Sequence, residues 1–199
     1  MLNISVMASG GGTNFQAILD ALDSGKIENA CVKLLIASND KAYALERAAG
    51  KGIRTTVIAR KDYPEPDAMP DDILKALKDA GTDLIVLAGY MSILDPRVIQ
   101  EYSGRIINIH PSLIPKFCGK GMYGLKVHEA VLAAGEKETG ATVHYVDEGV
   151  DTGEIILQEK VPVMEGDTPE VLQKRVLETE HKILPAVISM IAAGTLGAK

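Results

Sequence analysis

The sequence predicts an α/β fold: a doubly wound, mostly parallel sheet whose last strands run antiparallel. Three observations predict it. Over the first hundred residues, short and almost wholly apolar runs alternate with segments of helical periodicity, the pattern of parallel strands covered on both faces. A glycine-rich turn, Ser9-Gly10-Gly11-Gly12-Thr13-Asn14, joins the first run to the first helical segment. After His110 the texture changes, and residues 141–146 and 155–161 alternate like antiparallel strands. The expected architecture is a Rossmann-like N-terminal half followed by an antiparallel C-terminal edge.

Each element has its own signal. Residues 2–8 form the first strand, and 15–22 a helix with Phe15, Ile18, Leu19 and Leu22 on one face. Residues 32–37 are a second buried strand, 42–49 a short helix closed by Gly50, and 55–58 a third strand. Three prolines, Pro64, Pro66 and Pro70, make residues 61–70 a loop. A helix over 71–80 stops at Gly81, and a strand follows at 83–88. Asp95-Pro96 opens another short helix with Pro at its first position. Residues 106–109 are a strand and 125–134 a helix. Asp167-Thr168-Pro169-Glu170 starts a long amphipathic helix reaching about residue 193, with Pro185 expected to kink or interrupt it.

The chain has 199 residues, enough for one full domain spanning 1–199 and too few for two. Its 46% hydrophobic and 24% charged residues are ordinary globular values. Trp is absent and only two Phe occur, so aliphatic side chains must fill the core. A net charge of −6 argues against a nucleic-acid partner, which calls for a basic stripe. No apolar run reaches bilayer length, and the first strand starts at residue 2 with no basic leader before it. Cys31 and Cys118 form no framework. A cytoplasmic protein without membrane or nucleic-acid partners is expected.

The chemistry concentrates in Ile106-Ile107-Asn108-Ile109-His110-Pro111-Ser112-Leu113-Ile114-Pro115. Period two puts Asn108 and His110 on one face, at the C-terminal end of a buried strand, where open α/β sheets hold ligands. An amide donor beside an imidazole suits an oxyanion and a proton transfer. The plainer alternative is a hydrogen-bonded core histidine. A carboxylate beside His110 would favour the imidazolium and fix its tautomer. Candidates lie in Val146-Asp147-Glu148-Gly149-Val150-Asp151-Thr152-Gly153, which is otherwise a solvated acidic turn. His128, His144 and His181 show no short ligand spacing, so no metal site is expected. The glycine turn suits either a phosphate or simply a tight turn. It fails the dinucleotide fingerprint, because Phe15 holds the third glycine position, and no Gly-Lys-Ser/Thr follows for a P-loop. Asp40, after the second strand, could contact a ribose in a dehydrogenase, but an acid in such a loop is commonplace.

Asn108-Ile-His-Pro-Ser-Leu-Ile-Pro115 with Val150-Asp-Thr-Gly153 resembles the folate-dependent formyltransferases. The glycine turn, Ala88-Gly89-Tyr90-Met91-Ser92-Ile93-Leu94 and Glu178-Thr179-Glu180-His181 narrow the resemblance to the branch that formylates 5-phosphoribosylglycinamide in purine synthesis. It runs from end to end in one register, apart from a few loops. It implies 10-formyltetrahydrofolate as co-substrate, small-molecule partners, a monomer or homodimer, and a catalytic triad of Asn108, His110 and Asp151. It also implies that Gly12, Thr13 and Asn14 bind the substrate phosphate, and that Glu180 faces its ribose or amine. Met91, Ser92, Ile93 and Leu94, with Asn108, would bind the folate. Residues 1–105 would then be the phosphate-binding half and 106–199 the catalytic and folate-binding half. In the implied mechanism, Asn108 and a protonated His110 donate to the oxyanion while Asp151 keeps His110 charged. Since both substrates are anionic and the protein acidic, local groups such as the glycine turn, Lys116 or Lys120 must attract them. A tRNA-formylating relative is expected to continue into a further C-terminal domain, and a hydrolase to begin with a regulatory one. Residues 117–125 depart from the family's shorter Pro-Gly loop, and the arginine often found near its folate has no clear counterpart in Arg60 to Pro70.

Overall fold

The computed structural model describes residues 1–65 and 67–196. Among the described residues, seven strands form one sheet: β1 (Leu2–Ala8), β2 (Ala30–Ala37), β3 (Arg54–Val57), β4 (Leu84–Leu87), β5 (Ile106–His110), β6 (Glu138–Tyr145) and β7 (Ile155–Pro162). Their spatial order is β3-β2-β1-β4-β5-β6-β7. β1 to β5 pair in parallel, whereas β6 runs antiparallel to β5 and to β7. The expected mostly parallel sheet with an antiparallel C-terminal edge is the one observed.

The α-helices that accompany it among the described residues are α1 (Thr13–Asp23), α2 (Ala44–Ala49), α3 (Ala68–Asp79), α4 (Pro96–Glu101), α5 (Leu125–Ala133) and α6 (Pro169–Ala192). The strands alternate their side chains between two cores. Ile4, Val6, Leu35, Val86, Ile107 and Ile109 pack with Phe15, Val131, Leu172 and Leu184 from α1, α5 and α6. Met7, Leu34, Ile36, Ile85 and Ile106 pack on the other face with Ile73, Leu77 and Val98 from α3 and α4. Fully buried aliphatic residues thus do the work that aromatic side chains do elsewhere.

Two expectations need correction. Residues 61–70 are not all loop: a 3-10 turn covers Arg60–Asp62, and α3 begins at Ala68. Pro70 fits there because the first-turn N–H groups of a helix have no intrahelical acceptor, so its missing donor costs nothing. Pro66, part of the same expectation, lies outside the described residues. Pro185 does not interrupt α6, which runs as one element of 24 residues. Ile183, Leu184, Val187 and Ile188 are all buried around it, and that packing outweighs one lost backbone bond, a penalty of about 3 kcal/mol.

The chain order reverses between β1 and β4. The loops leaving these two strands therefore diverge, and a crevice opens at their C-terminal ends. The glycine turn follows β1 and residues 88–94 follow β4.

Candidate active site

A cavity of about 690 Å³ occupies that crevice. Its walls are the glycine turn, the loop after β4, the end of β5, the loop before α5 and the loop between β6 and β7. The triad and the substrate- and folate-binding residues expected from the resemblance all line it: Gly12, Thr13, Asn14, Met91, Ser92, Ile93, Leu94, Asn108, His110, Asp151 and Glu180.

Ile106, Asn108 and His110 share one face of β5 by period two, but only Ile106 is covered by the α3–α4 core. The two polar side chains pass beyond it into the cavity. Asp151 reaches them from the loop between β6 and β7, in a left-handed conformation with φ of 58°. Its Oδ2 lies 3.6 Å from His110 Nδ1, and its Oδ1 lies 3.5 Å from Asn108 Nδ2. Of the other acids of this loop, Asp147 accepts from the Gly149 N–H and the Thr152 hydroxyl, and Glu148 accepts from Gln100. Asp147 thereby shapes the turn that presents Asp151.

Three groups at the centre were not foreseen. His144 stands opposite Asn108 in the antiparallel ladder. Its Nδ1 lies 2.7 Å from the Tyr145 carbonyl, which can only accept, so Nδ1 carries the hydrogen and Nε2 accepts from Asn108 Nδ2 at 3.1 Å. This fixes the Asn108 amide with its nitrogen between His144 and Asp151. Second, the Phe117 carbonyl lies 2.9 Å from His110 Nε2 and takes that hydrogen. Third, the Gly119 N–H donates to Asp151 Oδ2 at 2.9 Å. The segment 117–119, part of the loop that departs from the family pattern, therefore holds both His110 and Asp151.

The charge state of His110 differs from the expectation. Burial pushes its pKa below the usual histidine value, and the Phe117 carbonyl and Asp151 only partly offset that. The ring is neutral at pH 7, with its hydrogen on Nε2 and a lone pair on Nδ1. Desolvating a charge in a residue that is only 5% exposed is the larger effect, and a carboxylate at 3.6 Å does not reverse it. Asp151 is also pushed up by burial, but its neighbours His144 and His110 and the Gly119 N–H, which donates to it, together hold it below the ordinary carboxylate value.

At the other end of the cavity, Asn14 Nδ2 donates to Glu180 Oε2 at 2.6 Å, tying α1 to α6. Burial pushes the Glu180 carboxyl up to about 7, and the Asn14 bond offsets only part of this. Above the glycine turn, Ser9 Oγ accepts the Met91 N–H at 2.8 Å and the Ser9 N–H donates to the Gly89 carbonyl at 3.0 Å. The two diverging loops are thus stapled together. Leu94 is buried, whereas Met91 and Ile93 stand exposed at the cavity mouth.

Some expected contributors lie elsewhere. Lys116 pairs with Glu136 at 2.8 Å and does not line the cavity, whereas Lys120 does. Asp40 faces Lys61 outside the cavity. Among the described residues, no group of three or more His, Cys, Asp or Glu side chains is placed to hold a metal ion, and no helix is long and apolar enough to cross a membrane.

A family model described as formyl transferase matches residues 2–188. The chain belongs to the formyl transferase family. Among relatives of this family, the phosphoribosylglycinamide formyltransferase of Haemophilus influenzae is 43% identical over 100% of this chain and 91% of its own length. The trifunctional purine biosynthetic protein adenosine-3 of Drosophila pseudoobscura pseudoobscura is 44% identical over 97% of this chain, which spans only 14% of that longer protein. The crystal structure of glycinamide ribonucleotide transformylase 1 from Symbiobacterium toebii superposes with a TM-score of 0.92 at 42% identity, covering 99% of this chain and 90% of that one. Within this formyl transferase fold, the triad read from the sequence comes together around Asp151.

Proposed function

We propose that this protein transfers the formyl group of 10-formyltetrahydrofolate to the amine of 5-phosphoribosylglycinamide, a step of purine synthesis. The names of its full-length relatives support this reading. The structural observation that carries it is the meeting of Asn108, His110 and Asp151 in one cavity, between the glycine turn and the loop after β4. The glycine turn with Thr13 and Asn14 takes the phosphate, and Glu180 takes the ribose side. The pteridine lies against Met91, Ser92, Ile93 and Leu94, whose apolar and backbone groups suit a flat ring. The protein works as one unit over 1–199, as a monomer or homodimer in the cytoplasm.

The amine attacks the formyl carbon, a carbon–nitrogen bond forms, and the carbonyl electron pair moves onto oxygen. Asn108 supplies an N–H to that oxygen. The hydrogen that is only loosely held by Asp151, at 3.5 Å, turns to it while the one on His144 stays. His110 is neutral, so its Nδ1 lone pair takes the proton leaving the amine. The resulting imidazolium faces Asp151, which stabilises it at that moment. The same Nδ1 returns the proton to the folate nitrogen as its bond to the formyl carbon breaks. Asp151 thus acts on the charged intermediate rather than on the resting ring.

The test is direct. The full chain is mixed with 5-phosphoribosylglycinamide and 10-formyltetrahydrofolate, and folate absorbance is followed. Turnover only with the ribonucleotide supports the transfer. Turnover without it means a hydrolase, and no turnover means a binding module.

A further inference from the structure

Helix α2 lies outside the cavity, yet it grips the glycine turn at three points. The Ala44 N–H donates to the Gly10 carbonyl at 3.2 Å. Arg47 Nε donates to the Gly11 carbonyl at 2.8 Å. A Cβ added at Gly12 would stand 2.7 Å from the Ala44 Cβ, so only glycine lets the turn sit this close. Arg47 is itself held, with Nη1 donating to Gln16 at 2.9 Å and its guanidinium 5.1 Å from the centre of the Tyr43 ring.

The consequence follows from peptide geometry. In a trans peptide the C=O of one residue and the N–H of the next point in opposite directions. Drawing the Gly10 and Gly11 carbonyls towards α2 turns the Gly11 and Gly12 N–H groups away from it. The Gly12 carbonyl accepts from Gln16 within α1, which turns the Thr13 N–H the same way. Among the described residues none of these three N–H groups has a hydrogen-bond partner, and all three residues line the cavity. Successive free N–H groups of this kind form an anion nest.

We infer that Arg47 is a positioning residue for the phosphate subsite, fixing the Gly11–Gly12 peptide so that its amide faces the bound anion. This rests on reading the glycine turn as the phosphate site. Gln is the informative replacement, because its Nε2 sits the same number of bonds from the backbone as Arg Nε and can keep the tether without the charge. Met removes both.

In steady-state assays of the full chain, Arg47→Met raises KM for 5-phosphoribosylglycinamide about ten-fold, the factor expected from losing one charge-assisted hydrogen bond. kcat and KM for 10-formyltetrahydrofolate stay within about two-fold. Arg47→Gln recovers most of the loss, and the difference between wild type and Arg47→Met vanishes with the dephosphorylated substrate. Unchanged KM in Arg47→Met, equal rises for both substrates, or Arg47→Gln behaving like Arg47→Met each overturns the inference. A second measurement does not depend on formyl transfer. Inorganic phosphate titrated against the protein moves the Gly11 and Gly12 amide resonances of wild type and Arg47→Gln, at higher concentrations in Arg47→Met. If wild type shows this response but no turnover, the proposed reaction fails while the inference stands. If wild type shows no response, the inference fails.

Discussion

Glu180→Gln gives the sharpest test of how the cavity was built. The wild-type carboxyl is 7% exposed, has Asn14 as its hydrogen-bond donor, and titrates near 7 against an ordinary value of 4.5. Between those two values the folded protein holds a proton that the unfolded chain has released. The unfolded state binds fewer protons there, so stability falls as pH rises across the window and levels off above it. Each pH unit costs about 1.4 kcal/mol, which makes roughly 3 kcal/mol over the whole window. Gln keeps an acceptor for Asn14 and cannot ionise, so it removes this slope. Urea denaturation from pH 4.5 to 8 reads the result: wild type loses about 3 kcal/mol relative to Glu180→Gln, with both curves converging at the acid end. Parallel curves would show that Glu180 titrates normally and that its burial carries no electrostatic penalty.

Three further outcomes follow from the same geometry. Asp151→Asn lowers kcat by about 10²–10⁴ with the fold intact, whereas Asp147→Asn has a smaller effect through the turn; kinetics with circular dichroism as control would refute this if the order were reversed. His110 titrates below 6.5 when followed by NMR, and kcat/KM declines as pH drops through that lowered pKa; because the folded pKa lies below the unfolded one, stability also falls on acidification from 6.5 down to it. A His110 resonance still protonated at pH 7.5 would restore the charged resting state. Gly12→Ala introduces a side chain at φ of 67° against Ala44, and thermal or urea unfolding should show a loss of about 1–3 kcal/mol with a raised KM for the phosphorylated substrate.

The inner parallel strands were legible because burial on both faces leaves short, largely apolar runs, whereas the edge strand β3, with Arg54 and Thr55 exposed, carries no such run. β1 has the bounds its sequence predicts, and Asp95 caps α4 as its Asp-Pro pair implies. Asn108 and His110 were legible for a related reason, since their shared face needs only period two. His144 was not. Its partnership with Asn108 depends on the register of β5 against β6, a pairing between residues 36 apart that no local pattern specifies. The charge on His110 was misread because proximity to Asp151 can be inferred along the chain, but the depth of burial that opposes it arises only once both cores have closed. Pro70 was misread for the opposite reason: proline punctuates loops in general, yet the first turn of a helix tolerates it.

The Phe117 carbonyl assigns the two ends of an otherwise symmetric donor–acceptor ring, one to the scaffold and one to the reaction. A main-chain oxygen does this, so the contact rests on the turn at position 117, with φ of 51°, and not on the chemistry of the Phe117 side chain, which packs against the α1–α5–α6 core instead. Comparing amino-acid identities at that position would therefore give no hint that it decides which nitrogen handles the proton.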